Sequence, residues 1–189
     1  MKSIPKKLVL FFLFISLIIS YIIFSFKDNE KLINNRSWNK GAMVSAANFH
    51  ATDAAINILN KGGSATDAAI AAHLVLGLVE PYSSGLGGGG FMLNYDFKSE
   101  DLTFIDGRET APAAAKIDMF MKEDGTVMSF LEAWPSGKAV GTPGIVALYE
   151  AAHKSYGVLP WATLFQHAIN LSTNGFIVSP RFCSVHRAI

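Results

Sequence analysis

The stretch SSGLGGGGFM, residues 83–92, carries five glycines in the six positions 85–90 and then turns apolar. Glycine loses more backbone entropy on folding than any other residue, so such a run needs a structural reason. A phosphate loop would carry a lysine and lead into a helix, whereas no lysine follows here and the next residues are strand-like. A flexible linker would be polar, and Leu86 interrupts this run. The glycines therefore predict close packing of chain against chain, in or beside an active site.

The residues upstream of the glycines predict a short strand and a helix. Residues 42–47, AMVSAA, are typical of a short buried strand. The segment TDAAINILNKGG, residues 52–63, predicts a helix with Thr52 or Asp53 as its N-cap. Gly62 is suited to the C′ position, where the backbone often turns left-handed.

A second helix is expected directly after the first. Ser64 and Asp67 have the spacing of a capping box, in which each side chain bonds the other residue's backbone N–H. Residues 65–79 are apolar nearly all round, which predicts a helix buried between layers, with His73 as a hydrogen-bonded core residue. Residues 80–84 then form a loop, so Glu80 and Asp67 are interpreted as loop and cap carboxylates.

Two strands and two helices are predicted after the glycines. The apolar runs 91–97 and 102–106 flank the polar residues KSED and predict a β-hairpin. A third helix is expected from Thr142 as N-cap and Pro143 at N1 to Gly157, and a fourth from about residue 160 to residue 172. One apolar stripe of the third helix comprises Ile145, Leu148, Tyr149 and Ala152.

The N-terminal residues predict a membrane segment. Residues 8–26 are uncharged and strongly apolar, long enough to span a bilayer as a helix. Lys2, Lys6 and Lys7 precede this run, which places the N-terminus in the cytoplasm and the following chain on the exported side, periplasmic or extracellular. Because no A-x-A-like cleavage triplet is present, an uncleaved signal anchor is preferred over a cleaved signal peptide. The expected organisation is an anchor over 1–26, a polar tether over 27–40 and one domain over 41–189.

Charge and residue spacing argue against several kinds of partner. The part after Lys27 has twelve Lys and Arg residues against fifteen Asp and Glu residues, without a basic cluster, so no nucleic-acid partner is expected. The five histidines lack metal-binding spacing, and no metal or cofactor is expected. Cys183 is the only cysteine, so no intrachain disulfide can form.

Four segments together resemble one known family. They are ILNKGGSATDAAIAA (58–72), SSGLGGGGFM (83–92), IDGRETAPAAA (105–115) and GTPGIVALYEAAHKSYGVLPWATLFQHAINLSTNGFIV (141–178). In this order and at these spacings, the chain resembles the N-terminal part of the large subunit of the gamma-glutamyltranspeptidases, or glutathione hydrolases. These enzymes are members of the N-terminal-nucleophile hydrolase superfamily.

The resemblance implies both a fold and an activity. The implied fold is an α/β (α+β) protein, a partial αββα sandwich of the N-terminal-nucleophile hydrolase type. The implied activity is cleavage of the γ-glutamyl amide of glutathione through an acyl-enzyme, with transfer of the glutamyl group to water, an amino acid or a peptide. The implied partners are glutathione and other γ-glutamyl compounds, together with the rest of the large subunit and the small subunit.

Arg108 is the substrate-binding candidate. It follows a predicted strand in IDGRETAP, where side chains often enter a cleft, and a guanidinium can bind a carboxylate through two hydrogen bonds. By resemblance, Arg108 matches the arginine that holds the substrate's α-carboxylate. The alternative is a surface arginine paired with Asp106 or Glu109.

No catalytic residue is assigned to this chain. The resemblance implies a threonine nucleophile, freed as a new N-terminus by self-cleavage, whose own amine is the general base. None of the eight threonines lies in the family's T-x-H-[FY]-S-like start; they are Thr52, Thr66, Thr103, Thr110, Thr126, Thr142, Thr163 and Thr173. The chain is therefore interpreted as a fragment that is inactive alone. A non-catalytic membrane-tethered remnant and a related acylase are the alternatives.

Overall fold

The computed structural model describes residues 41–186, which form six α-helices and two β-strands. In chain order these are α1 (Phe49–Asn60), α2 (Ala65–Val79), β1 (Gly90–Asp96), β2 (Asp101–Gly107), α3 (Phe130–Ala133), α4 (Ile145–Tyr156), α5 (Trp161–Asn174) and α6 (Pro180–His186). One turn of 3₁₀ helix, Gly137–Ala139, lies between α3 and α4. The predicted membrane segment and tether lie outside the described residues. Within residues 41–186, no helix is long and apolar enough to cross a bilayer.

The first described segment, residues 42–62, differs from the sequence prediction in two places. Residues 42–47 form no strand, since they pair with neither β1 nor β2, the two strands of the described sheet. Helix α1 begins at Phe49, a turn before the predicted cap, since the Asn48 side chain accepts the His50 N–H at 3.0 Å. The predicted C-terminal glycine is confirmed, as Gly62 follows the C-cap with φ +85°.

Helix α2 is the centre of the apolar core, as predicted. Its capping box is formed: Asp67 N–H donates to Ser64 Oγ at 3.0 Å, and Ser64 N–H donates to Asp67 Oδ2 at 2.9 Å. Helices α1, α4 and α5 contribute side chains to the same core. The fully or nearly fully buried apolar residues of α2 are Ala68, Ile70, Ala71, Ala72, Leu74, Val75 and Val79.

The Asp67 carboxylate also holds the connection between α4 and α5. It is 0% exposed, and its Oδ2 accepts the N–H groups of Val158 and Leu159 at 3.0 and 3.1 Å. Burial alone would raise the pKa of Asp67, but these N–H groups and those of the capping box outweigh it and hold the pKa below its ordinary value. One charged side chain thus joins the start of α2 to a segment more than 90 residues later.

The predicted hairpin is confirmed. Strands β1 and β2 pair antiparallel, with Met92 opposite Ile105 and Leu93 opposite Phe104. Met92 and Ile105 pack against the core, whereas the opposite face of the hairpin is apolar and open to solvent. The exposed side chains of that face are Phe91, Leu93, Tyr95, Leu102 and Phe104, between 57% and 68% exposed.

Helix α4 begins two to three residues later than predicted. Thr142 is not its cap, because the Thr142 backbone forms an antiparallel bridge to Thr110, with N···O distances of 2.8 and 3.3 Å. Gly144 takes the N-cap position, and the N–H groups of Gly144 and Ile145 both donate to the carbonyl oxygen of Gly88 at 3.1 Å. The predicted apolar stripe of α4 is buried and Gly157 ends the helix. Helix α5 also forms, two residues longer than predicted at its C-terminal end.

The glycine run is closely packed at part of its length. A Cβ on Gly89 would lie 2.6 Å from the Gly107 carbonyl oxygen and 2.7 Å from Glu109 N, both backbone atoms. In contrast, a Cβ on Gly85 or Gly87 would meet nothing within 4 Å. The prediction of close backbone packing is therefore confirmed at Gly89, where the run passes the end of β2.

Asp67→Asn should lower the free energy of unfolding by about 1–3 kcal/mol at neutral pH, because it replaces a buried carboxylate that accepts several hydrogen bonds. Folding lowers the pKa of Asp67, so its ionised carboxylate stabilises the folded chain at pH values above the ordinary pKa of 3.8. This stabilisation is lost as the pH falls through the pKa that Asp67 has in the folded chain. Urea unfolding should therefore show a smaller loss of stability in acid for Asp67→Asn than for the unsubstituted chain. The control is Asp53→Asn, on the exposed side of α1; an equal effect of both substitutions would contradict this role.

Gly89→Ala should destabilise the chain by about 2 kcal/mol or more, because the new methyl group overlaps backbone atoms that cannot rotate away. Gly87→Ala is the matched control, with open space at its Cβ position, and is expected to change stability by about 0.5 kcal/mol or less. Urea unfolding of the two variants side by side measures the difference. Equal stabilities would show that Gly89 is not required by packing.

Candidate carboxylate-binding site

Arg108 is the first residue after β2, and the end of that strand is held in place by packing. Gly107 is buried, and a Cβ there would lie 2.5 Å from Leu148 Cβ on α4. The Arg108 N–H donates to Asp106 Oδ1 at 2.9 Å, which turns the chain away from the strand. The backbone of Arg108 is thus anchored on both sides, while its side chain is 66% exposed.

The guanidinium has one acidic neighbour. Arg108 Nε lies 3.4 Å from Glu109 Oε2, an atom that is buried and has no hydrogen-bond partner in the described part of the chain. Glu109 is wedged against the glycine run, since its Oε2 would be 2.7 Å from a Cβ on Gly89. Of the two pairs in the surface-arginine interpretation, the side-chain pair with Glu109 is present, whereas Asp106 contacts the backbone N–H of Arg108. Between residues 41 and 186, the two Nη atoms of Arg108 have no acceptor.

Arg108 and Glu109 line an open pocket of about 360 Å³. One wall is the segment after β2 and the other is the segment before α4, joined by the Thr110–Thr142 bridge. The charged lining residues are two cations, Arg108 and Lys138, and one anion, Glu109. The other lining residues are mostly apolar: Thr110, Ala111, Pro112, Ala115, Met119, Phe120, Ala139, Val140 and Gly141. A mostly apolar pocket with a few charged groups is the usual form of a small-molecule site.

His73 holds the loop that leads into the glycine run. Its Nδ1 is hydrogen-bonded to the Tyr149 hydroxyl on α4, and its Nε2 lies 2.8 Å from Ser84 Oγ. Burial lowers the pKa of His73 and raises that of Tyr149. The prediction of a hydrogen-bonded core histidine is confirmed, and these contacts assign it a structural role.

Glu80 forms a buried network that the sequence did not reveal. Its side chain is nearly fully buried and accepts hydrogen bonds from Asn48 Nδ2 at 2.9 Å and from the Tyr82 hydroxyl. Burial alone would raise the pKa of Glu80, but these two donors lower it. The loop interpretation of Glu80 is confirmed, although only the folded chain brings Asn48 beside it, 32 residues away in sequence.

The remaining reactive side chains do not gather at the pocket. Among the threonines, Thr110 lines it, but both its N–H and its carbonyl pair with Thr142, and it has no free amine to act as a base. Cys183 is exposed on α6. In the described ranges, no three His, Cys, Asp or Glu side chains are grouped so as to hold a metal ion. Within the described residues, the pocket therefore contains cations but no assembled nucleophile.

Comparison with known proteins identifies relatives along this same region. The gamma-glutamyltranspeptidase family profile matches residues 51–188. The glutathione hydrolase proenzyme of Bacillus subtilis is 43% identical over 137 residues, which cover 72% of this chain and 23% of that protein. The chain thus spans about a quarter of the length of this curated relative.

Solved structures agree with the sequence comparison. The gamma-glutamyltranspeptidase of Pseudomonas nitroreducens, complexed with L-DON, matches with a TM-score of 0.73 and 35% identity, over 80% of this chain and 44% of that one. The gamma-glutamyltranspeptidase of Helicobacter pylori matches with a TM-score of 0.75 and 32% identity, over 80% and 43%. The described part of this chain is likewise a mixed helix-and-sheet structure. The chain belongs to the gamma-glutamyltranspeptidase family.

Proposed function

We propose that this chain supplies the γ-glutamyl-binding segment of a glutathione hydrolase. The whole protein would cleave the γ-glutamyl amide of glutathione and transfer the glutamyl group to water, an amino acid or a peptide. Family membership supports this reaction, as does the name of the Bacillus subtilis relative. The 189 residues contain no threonine in the family's nucleophile motif, so the chain is proposed to bind substrate and to have no activity alone.

The observation that carries the proposal is the placement of Arg108. Its backbone is held at the end of β2, the residue lines a pocket, and both Nη atoms have no acceptor in the described residues. A carboxylate that binds the two Nη groups would receive two parallel charge-assisted hydrogen bonds. The Glu109 contact through Nε leaves those two groups available.

Binding at Arg108 would orient the substrate for an attack made elsewhere in the protein. An α-carboxylate held at one end of the glutamyl group limits the positions that its γ-carbonyl carbon can take. Restricting a reacting carbon in this way removes part of the entropic cost of the bimolecular step. The nucleophilic threonine, the α-amino contacts and the oxyanion donors are proposed to come from the rest of the large subunit and from the small subunit.

Arg108→Lys tests this role in a chimaera, in which residues 41–186 replace the matching part of the Bacillus subtilis proenzyme. Lysine keeps the charge but loses the two-pronged contact, so kcat/KM for glutathione should fall about 30- to 1000-fold, or about 2–4 kcal/mol. The loss should appear mainly in KM, because the α-carboxylate is bound alike in the ground and transition states. Self-cleavage should continue, since no external substrate takes part in it.

The matched control is Arg181→Lys, which makes the same change beside Glu80 and Ser83, outside the pocket lining. It should leave KM unchanged. A chimaera with Arg108→Lys that fails to mature, yet binds γ-glutamyl ligands normally, would show that Arg108 is structural.

We propose that the whole protein is an αββα sandwich and that this chain forms part of it, a partial αββα sandwich. The observation that supports this fold is the exposed apolar face of the hairpin, on which Leu93 and Phe104 lie directly opposite each other. Such a face needs cover in a folded protein, and a second sheet packed on it would provide that cover. The strands that would form this second sheet are proposed to lie in the rest of the family polypeptide.

The uncovered face should make residues 27–189 poorly soluble when they are produced alone. Leu93→Lys combined with Phe104→Glu places opposite charges on directly opposed positions and should raise the yield of soluble monomer, measured by size-exclusion chromatography. Ile105→Lys is the control on the inward face, where a buried charge should unfold the hairpin. An unsubstituted chain that gives as much soluble monomer as the double variant would contradict the proposed uncovered face.

Membrane anchoring on the exported side is also proposed, and it rests on the apolar run 8–26 alone. Sequencing the N-terminus of the cell-associated protein distinguishes an anchor from a cleaved signal peptide.

A further inference from the structure

We propose that Lys138 is a second cation of the α-carboxylate site and attracts the same carboxylate that Arg108 binds. This inference rests on the proposed function and adds a residue to it. Lys138 lies in the 3₁₀ turn Gly137–Ala139 and lines the same pocket as Arg108. The two cations come from segments that are 30 residues apart in sequence.

Among the charged side chains that line the pocket, Lys138 is the cation without a neighbouring carboxylate in the described residues. Arg108 is paired with Glu109, the only carboxylate in the pocket lining. Lys138 has neither an ion pair nor a hydrogen bond of its side chain in the part of the chain that the structure describes. The pocket therefore carries one net positive charge, and that charge is contributed by Lys138.

The backbone around the pocket gives Lys138 a defined place. The Thr110–Thr142 bridge joins the two walls, and a Cβ on Gly141 would lie 3.0 Å from Glu109 Cβ. The segment that carries Lys138 is thus held against the segment that carries Arg108. Arg108 has the donor geometry to orient a carboxylate, whereas an ammonium group acts as a point charge that adds attraction without fixing orientation.

Because the Lys138 side chain is exposed, its contribution should depend on salt. Lys138→Gln should weaken the binding of glutathione about two- to fivefold at low ionic strength, a loss typical of an exposed charge pair. The loss should nearly disappear at about 0.5 M salt, where charges several ångströms apart are screened. Lys138→Arg keeps the charge and should restore binding.

The experiment uses the full 189-residue chain in a neutral detergent and measures binding by isothermal titration calorimetry. The two probes are glutathione and its analogue with an amide in place of the γ-glutamyl α-carboxylate. The matched control is Lys98→Gln, which makes the same charge change in the connection between β1 and β2, outside the pocket lining. Arg108→Gln is measured in parallel.

The expected result is a salt-dependent loss with Lys138→Gln for glutathione, and no loss for the amide analogue. An equal loss of binding for both probes would overturn the inference, because Lys138 would then act on a group other than the α-carboxylate. An effect of Lys138→Gln no larger than that of Lys98→Gln would also overturn it. If Arg108→Gln weakens glutathione binding while Lys138→Gln does not, only the role of Lys138 is wrong. If the unsubstituted chain binds both probes equally, the proposed function fails together with this inference.

Discussion

The carbonyl oxygen of Gly88 accepts hydrogen bonds from the N–H groups of Gly144 and Ile145, and the candidate site depends on this junction. It holds the glycine run to the start of α4 and supplies an acceptor for two backbone donors that a helix end leaves unpaired. Immediately beyond it, Gly89 passes the end of β2 with no space for a side chain. Three segments distant in sequence therefore meet where Arg108 leaves its strand.

Helix α2 supports this junction from the core side. Its apolar surface packs against α1, α4 and α5, and two of its polar side chains, Asp67 and His73, join the helix to other segments. Asp67 holds the α4–α5 connection at one end of α2, while His73 joins α4 to the loop that precedes the glycines. A buried polar group stabilises a fold only when it is hydrogen-bonded, and here the required partners come from distant segments. Core packing and site geometry are thus coupled through the same helix.

In the proposed function, this chain binds the substrate and the rest of the protein carries out the chemistry. The described pocket contains cations suited to a carboxylate, but it contains no assembled nucleophile, base or metal cluster within residues 41–186. Its hairpin presents an apolar face on the side away from the core. Both features fit a segment that functions as part of a larger polypeptide, consistent with its coverage of about a quarter of the Bacillus subtilis relative.

Local sequence signals predicted most of the regular structure. The capping box of α2, the left-handed glycine after α1, the alternation in the hairpin and the apolar stripe of α4 all act through residues close in sequence. The local sequence made Arg108 a candidate after β2, and the resemblance to the family supplied both its carboxylate-binding role and its proposed substrate.

Only the tertiary structure decided the features that depend on distant partners. Residues 42–47 have strand-like composition but no partner strand among the described residues, and Thr142 has a cap-like sequence but pairs with Thr110. The burial of Glu80 against Asn48 is a contact across 32 residues, and Arg108 and Lys138 line one pocket although they are 30 residues apart in sequence. Sequence periodicity and capping determine which segments can form helices and strands, because those interactions are local. Which acceptor, strand or charge each segment meets depends on how the whole chain packs.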